Sequence, residues 1–261
     1  MQTGDIIKQL AEEYPVSMAM SWDNPGLQAG RLERKVTKIL VALDATDEVI
    51  RQCVESGAEL LVTHHPLLMS GIRRVVADDL HGNKVLTLIE HGIAHYAMHT
   101  NYDVIMMTEL AKDAMKMTET EVLEITGTYE DGSAYGIGCT GNLPEKMTAV
   151  ECCNYVKKAF HLDHVRLFGS PDREIQRVSL SPGSGKSMIG AALKAGAELL
   201  ITGDIGHHDG LDALDQGMLV MDAGHYGIEH IFIGQMTEYL RNHFPEVQVE
   251  CAAQPVPFLV F

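Results

Sequence analysis

Gly57-Ala58-Glu59-Leu60-Leu61-Val62-Thr63-His64-His65-Pro66 is the stretch that decides how the chain is read. Leu60, Leu61 and Val62 form a short apolar run of the kind found in a strand buried on both faces, and the run stops abruptly at two histidines and a proline. A strand ending there carries two imidazoles to the carboxyl edge of a sheet, where open α/β sheets place their ligands; neutral imidazole is the commonest protein ligand for metals. Neighbouring residues in a strand point to opposite faces, so two adjacent ligands require the chain to leave the strand between them. Pro66 favours the exit by holding His65 extended. A His-His pair standing alone more often belongs to a solvated loop, so the rest of the chain must decide.

Upstream, Val36 to Leu43 alternates into a strand and Asp47 to Ser56 follows as a helix, a β-α-β order that calls for a parallel sheet with a right-handed crossover. Ahead of it stand an amphipathic helix over 3 to 14, with Thr3 as N-cap, and an ordered loop from Ser21 to Gly30 holding the single tryptophan, Trp22. Downstream come a helix from Leu80 to His91 and a strand from Ile93 to Met98, which runs out into His99-Thr100-Asn101-Tyr102-Asp103. Val104 to Met117 reads as a methionine-rich helix, Gly136 to Leu143 as a glycine-interrupted strand, Thr148 to Phe160 as a helix and His164 to Phe168 as a short strand. His161 and His164 read as solvated histidines.

The first half then recurs. After a strand at Arg177 to Leu180 and a helix from Gly185 to Lys194, Gly196-Ala197-Glu198-Leu199-Leu200-Ile201-Thr202 repeats Gly57 to Thr63 at six of seven positions. This copy ends in Gly203-Asp204 and soon reaches His207-His208. A helix from Asp209 to Gln216 and a strand from Leu219 to Met221 empty into Asp222-Ala223-Gly224-His225-Tyr226-Gly227-Ile228-Glu229, and the chain closes with a helix, Glu229 to Asn242, and a strand, Val247 to Cys251. The expected architecture is α/β: two similar, internally duplicated units with largely parallel sheets and a metal site in the cleft between them. The expected units are residues 1–126 and 127–261, intertwined through the C-terminal helix. Ser181-Pro182-Gly183-Ser184-Gly185-Lys186-Ser187 imitates a P-loop but carries Leu180 where its first glycine belongs, so it reads as a tight structural turn.

His225 and Glu229 lie four residues apart and share a helix face if a helix starts at Gly224. Together with His64, His65 and Asp103 they make three imidazoles and two carboxylates, more than one tetrahedral zinc with an open position needs and suited to two metals bridged by carboxylate and water. Two such metals would clamp a hydroxide and polarise a phosphoryl, carbonyl or amidine-like carbon, which implies hydrolysis. His99 and His208 are the candidate catalytic residues, as proton carriers or supports of the ligands. Mixed nitrogen and oxygen donors accommodate two divalent ions of zinc, iron, manganese, nickel or cobalt alike.

Composition bounds the partners. The 261 residues are 46% hydrophobic and carry 36 Asp and Glu against 20 Lys and Arg, a formal charge of -16. That balance argues against direct nucleic-acid binding or an anionic membrane surface. The N-terminus lacks the basic start and apolar core of a signal peptide, and the five cysteines form no CxxC pair, so a cytoplasmic protein with reduced thiols is expected.

These motifs, Trp22-Asp23-Asn24-Pro25-Gly26-Leu27, Leu43-Asp44-Ala45-Thr46, Thr63-His64-His65-Pro66, His99 to Asp103, Gly183 to Gly185, Thr202-Gly203-Asp204 to His208 and Gly224-His225 to Glu229, span nearly the whole chain. In them the chain resembles the GTP cyclohydrolase I type 2 homologue family, the NGG-one-interacting-factor-three-like proteins. The resemblance implies two α/β halves, a ring-like homo-oligomer built from dimers, expected to be a homohexamer, and a dinuclear centre whose ligands fall on His64, His65, Asp103, His225 and Glu229. Tyr102 stands where members carry leucine and Pro25 where valine or isoleucine is common, differences that bear on substrate fit. The first expected function is a metal-dependent hydrolase of a small, nucleotide-like substrate. The alternative is a non-catalytic metal carrier or a ring-shaped scaffold for a protein partner.

Overall fold

Eleven strands, β1 (Gly26–Ala29), β2 (Lys38–Ala42), β3 (Leu60–Thr63), β4 (Ala94–Ala97), β5 (Thr118–Thr128), β6 (Ala134–Thr148), β7 (Arg166–Phe168), β8 (Glu174–Ser184), β9 (Leu199–Gly203), β10 (Leu219–Asp222) and β11 (Gln248–Cys251), form two mixed sheets among the described residues of a computed structural model. The structure describes residues 1–254 together with 256, 258 and 260. The chain divides into two compact units, Met1–Tyr102 with Phe232–Phe261, and Asp103–Ile231.

In the first unit the strand order is β1-β4-β3-β2-β11; β4, β3, β2 and β11 run parallel and β1 is antiparallel to β4. Leu60, Leu61 and Val62 are fully buried, as a central strand covered on both faces demands. The crossover helix Asp47–Ser56 starts where the Thr46 hydroxyl accepts the Val49 N–H at 3.1 Å and stops at Gly57, whose φ of +71° an L side chain rarely adopts. Its apolar face, Val49, Ile50 and Cys53, joins Leu40, Leu61 and Leu88 in the core.

The second unit is ordered β5-β6-β8-β9-β10-β7, with β8, β9 and β10 parallel and the outer pairs antiparallel. The repeated heptapeptide does the same work in each unit. Gly196 also has φ +71°, and it ends the helix Ile189–Lys194 as Gly57 ends its own. Glu59 accepts the N–H groups of Thr37 and Lys38 at 2.9 Å each; Glu198 accepts those of Gln176 and Arg177 at 2.7 and 3.1 Å. Each glutamate thus braces the start of the neighbouring strand. The P-loop-like stretch is a turn, in which a Cβ on Gly185 would lie 1.8 Å from Thr202 Oγ1, so glycine is needed there for β8 to reach β9.

Four features depart from the sequence reading. Gly26–Ala29, expected as loop, is the edge strand β1, and Thr118–Thr128, assigned no element, is β5. Since β5 runs through residue 126 and pairs with β6, a boundary at 126/127 would cut a strand; the units part between Tyr102 and Asp103, and β11 returns to pair with β2. The helix expected over Val104 to Met117 opens as a π-turn, Asp103–Met107, before a regular segment Thr108–Ala114. Single π-turns insert one residue into a helix and often accompany functional side chains. Here the Thr108 hydroxyl donates to the Asp103 carbonyl at 3.2 Å. No helix among the described residues is long and apolar enough to cross a membrane.

Candidate metal centre

His64 and His65 are delivered by the break that adjacent ligands require. At the end of β3 the Thr63 hydroxyl donates to the His65 carbonyl at 2.8 Å, closing a turn, while the His65 N–H bonds the Leu43 carbonyl at 2.9 Å. His64 Nδ1 then donates to the Met98 carbonyl at 2.7 Å, and His65 Nδ1 donates to Asp44 Oδ1 at 2.7 Å. A carbonyl oxygen and an ionised carboxylate can only accept, so each Nδ1 carries the proton and the lone pair lies on Nε2, the tautomer that binds metals. Asp44 is itself held by Gln254, whose amide donates to Oδ2 at 3.2 Å. Beside His64, Tyr102 and Phe232 form an apolar wall, with ring centroids 6.0 and 5.3 Å away.

His99 completes this half. Its Nδ1 donates to Asp23 Oδ1 at 2.7 Å, and Asp23 Oδ2 receives the Thr100 N–H at 3.0 Å and hydroxyl at 2.6 Å. Burial alone would raise the Asp23 pKa, but the hydrogen bonds from His99 and Thr100 outweigh it and bring it down to about 2. One donor atom from each of His64, His65 and His99 can be chosen so that all lie within 4.8 Å of one another. Trp22, 59% exposed, stands edge-on to His99 with ring centroids 6.0 Å apart. Four residues before His99, His95 on β4 is fully buried, and burial lowers its pKa to about 3, so it is neutral.

In the second unit His225 and Glu229 lie on the short helix His225–Glu229, entered through Gly224 at φ +80°. His225 Nε2 is 3.0 Å from Glu229 Oε2, and His225 Nδ1 is 2.8 Å from Asp204 Oδ2. Burial opposes a charge on this ring, yet the Glu229 and Asp204 carboxylates prevail and push its pKa up to about 9. Two glycines make room. A Cβ on Gly183, at φ +72°, would lie 2.5 Å from Glu229 Oε1, and one on Gly203 would lie 2.5 Å from the His225 nitrogen. Glu229 is buried, and so is Asp103, the first residue of the unit and of its π-turn.

His208 stands apart. It is exposed on the helix His207–Asp215 beside His207 and, among the described residues, belongs to none of the groups able to share an ion. Sequence reasoning passed over Asp23, Asp44 and Asp204 as functional residues, although all three lie in the motifs it quoted. The available signal was an aspartate one or two residues beyond a strand in both copies, at Leu43-Asp44 and Gly203-Asp204.

A DUF34/NIF3 (NGG1p interacting factor 3) family profile matches residues 1–257. The chain belongs to this family. A GTP cyclohydrolase 1 type 2 homolog of Clostridium perfringens is 35% identical over 247 residues, covering 93% of this chain and 92% of that one. The crystal structure of a Staphylococcus aureus protein superposes with a TM-score of 0.89 at 28% identity, over 100% of this chain and 99% of the other. A Bacillus cereus protein related to NIF3 gives a TM-score of 0.90 at 23% identity with the same coverage, and so shares the fold. A DUF34/NIF3 chain with His, Asp and Glu groups able to bind metal is what sequence and geometry together support.

Proposed function

We propose that His64, His65, Asp103, His225 and Glu229 hold two divalent metal ions, and that the centre hydrolyses a small, nucleotide-like substrate. The observation that carries this reading is the common construction of the two units: His65 is backed by Asp44 and His225 by Asp204, each through Nδ1. Carboxylate-backed imidazoles with Nε2 as the metal-binding atom are the usual second layer of a metal site. Chain connectivity agrees, because the two crossings between units, Tyr102 to Asp103 and Ile231 to Phe232, each have a carboxylate candidate at or within three residues of the junction. Buried carboxylates such as Asp103 and Glu229 are costly unless a cation or hydrogen bonds compensate them.

When bound, divalent ions supply Lewis acidity and a nucleophile at neutral pH. The chain supplies the rest. Asp23 holds the His99 ring so that its Nε2 takes or gives a proton, and Trp22 offers an exposed aromatic surface to the substrate. A metal carrier would have no use for such a proton-transfer pair, which favours the enzyme over the carrier or scaffold. The subunit assembles into a cytoplasmic homohexameric ring: β5 is the outer strand of its sheet with Ile125 62% exposed, and the cysteines are free thiols.

The test is a hydrolysis screen of phosphoesters and nucleotides with added zinc, iron or manganese, run on the parent chain, His99→Ala and Glu229→Ala. Turnover lost in both variants, with metal retained in His99→Ala, supports the hydrolase. Metal uptake without turnover on any substrate class supports the carrier.

A further inference from the structure

A histidine in the middle of a hydrophobic core needs a reason. His95 sits in β4 between Ala94 and Tyr96, is fully accessible to nothing but protein, and leaves Nδ1 without a hydrogen-bond partner among the described residues. Leaving a polar nitrogen buried and unbonded is destabilising. Its other nitrogen, Nε2, lies 2.8 Å from Thr63 Oγ1. That hydroxyl has one proton and gives it to the His65 carbonyl, so it must accept from His95, whose proton is therefore on Nε2. A line of two hydrogen bonds thus runs from His95 through Thr63 to the main chain of His65.

The duplication provides an internal control. In the first unit β4 pairs with β3 so that His95 stands opposite Leu61; in the second, β10 pairs with β9 so that Val220 stands opposite Leu200. Leu61 and Leu200 are the same position of the repeated heptapeptide, so Val220 is the counterpart of His95. The copy with valine continues into Gly203-Asp204 and its Thr202 hydroxyl donates to Gly183 at 3.3 Å; the copy with histidine turns sharply into His64-His65. The imidazole occurs only in the copy whose strand must end in two adjacent ligands.

We infer that His95 is a positioning residue for the metal centre: it locks the Thr63 hydroxyl onto the His65 carbonyl and so fixes the turn that points His64 and His65 into one site. The inference rests on the metal reading of those two histidines for its consequence, and on the hydrogen-bond line for its geometry. Thr63 and His95 are both fully buried.

The experiment compares full-length His95→Val, which installs the residue the second unit uses, with His95→Gln, whose amide N–H can replace Nε2–H. Crystal structures of the metal-free variants report geometry, and zinc titration of the same preparations reports affinity. In His95→Val the Thr63 to His65 bond opens and His65 leaves Asp44, zinc binding weakens about 10- to 100-fold as for lost supports of metal ligands, and His95→Gln recovers both. A folded His95→Val with the 2.8 Å and 2.7 Å bonds unchanged overturns the inference, as does equal loss in both variants following only a lowered melting temperature. A parent chain that takes up no zinc overturns the metal reading instead, and the paired crystal structures then still decide whether His95 sets the turn.

Discussion

Asp44 Oδ1 receives the Nδ1–H of His65 at 2.7 Å, which fixes both the tautomer and the direction of an imidazole that follows directly after a strand. The pair joins two strand ends of one sheet, since Asp44 follows β2 and His65 follows β3, its parallel neighbour. Replacing Asp44 by Ala is expected to leave the fold intact, as the residue is only half-buried at the end of its strand, and to weaken metal binding about 10- to 100-fold. Competition with a fluorescent zinc chelator measures this, and an unchanged affinity would show that Asp44 does not support a metal-binding His65.

Gly183→Ala probes the second unit. The new methyl would sit 2.5 Å from Glu229 Oε1 on a backbone at φ +72°, so the variant is expected to lose about 1–2 kcal/mol from the left-handed conformation alone. Displacement of Glu229 should lower metal occupancy as well. Gly190→Ala, with open space around its Cβ and an ordinary helical backbone, is the control: it should gain about 0.5–1 kcal/mol of stability and leave metal occupancy unchanged. Thermal melting with metal analysis of both variants checks the pair.

Much of this could be read before the structure. Leu60 to Thr63 announced a buried strand by its apolar run, and the heptapeptide repeat announced the second copy because glycine and glutamate have fixed backbone duties there. Five of the seven candidate site residues lie in strand ends or the short helix that sequence reasoning placed correctly. What stayed hidden has a physical cause in each case. In β5, Thr118 to Thr128 carries three glutamates and has no buried residue at its sheet edge, so burial does not stamp a pattern on it. The π-turn at Asp103 reflects packing that periodicity does not encode, and the partnership of Asp23 with His99 joins residues 76 apart in sequence. His208 lies exposed beside His207, outside the groups able to share an ion among the described residues.

Asp23 gives a pH signature. Its pKa falls from the ordinary 3.8 to about 2 in the folded chain, so its contribution to stability is fully present above about pH 4 and is lost as pH falls through about 2. The shift corresponds to roughly 2 kcal/mol. In urea unfolding between pH 5 and pH 2.5, the stability gap between the parent and Asp23→Asn should narrow steadily as the pH drops. A gap that stays constant over that range would mean that the Asp23 charge is not what its hydrogen bonds stabilise.

Trp22 reports on the substrate. Being 59% exposed and the single tryptophan, it can be replaced by alanine with little effect on stability, about 0.5 kcal/mol or less, while KM rises if its ring meets the substrate. In the parent, its fluorescence should change on titration with a hydrolysed nucleotide and not with inorganic phosphate. No change with any turned-over substrate would remove Trp22 from the site.

The most direct measurement is metal content per chain, by inductively coupled plasma mass spectrometry, on protein purified without chelators or nickel affinity resin, beside a His64→Ala, Glu229→Ala double variant of confirmed fold. Close to two equivalents in the parent and a large loss in the variant is the predicted result. A parent with no metal that also fails to take up added zinc, iron or manganese would contradict the dinuclear centre and leave its histidines as structural groups.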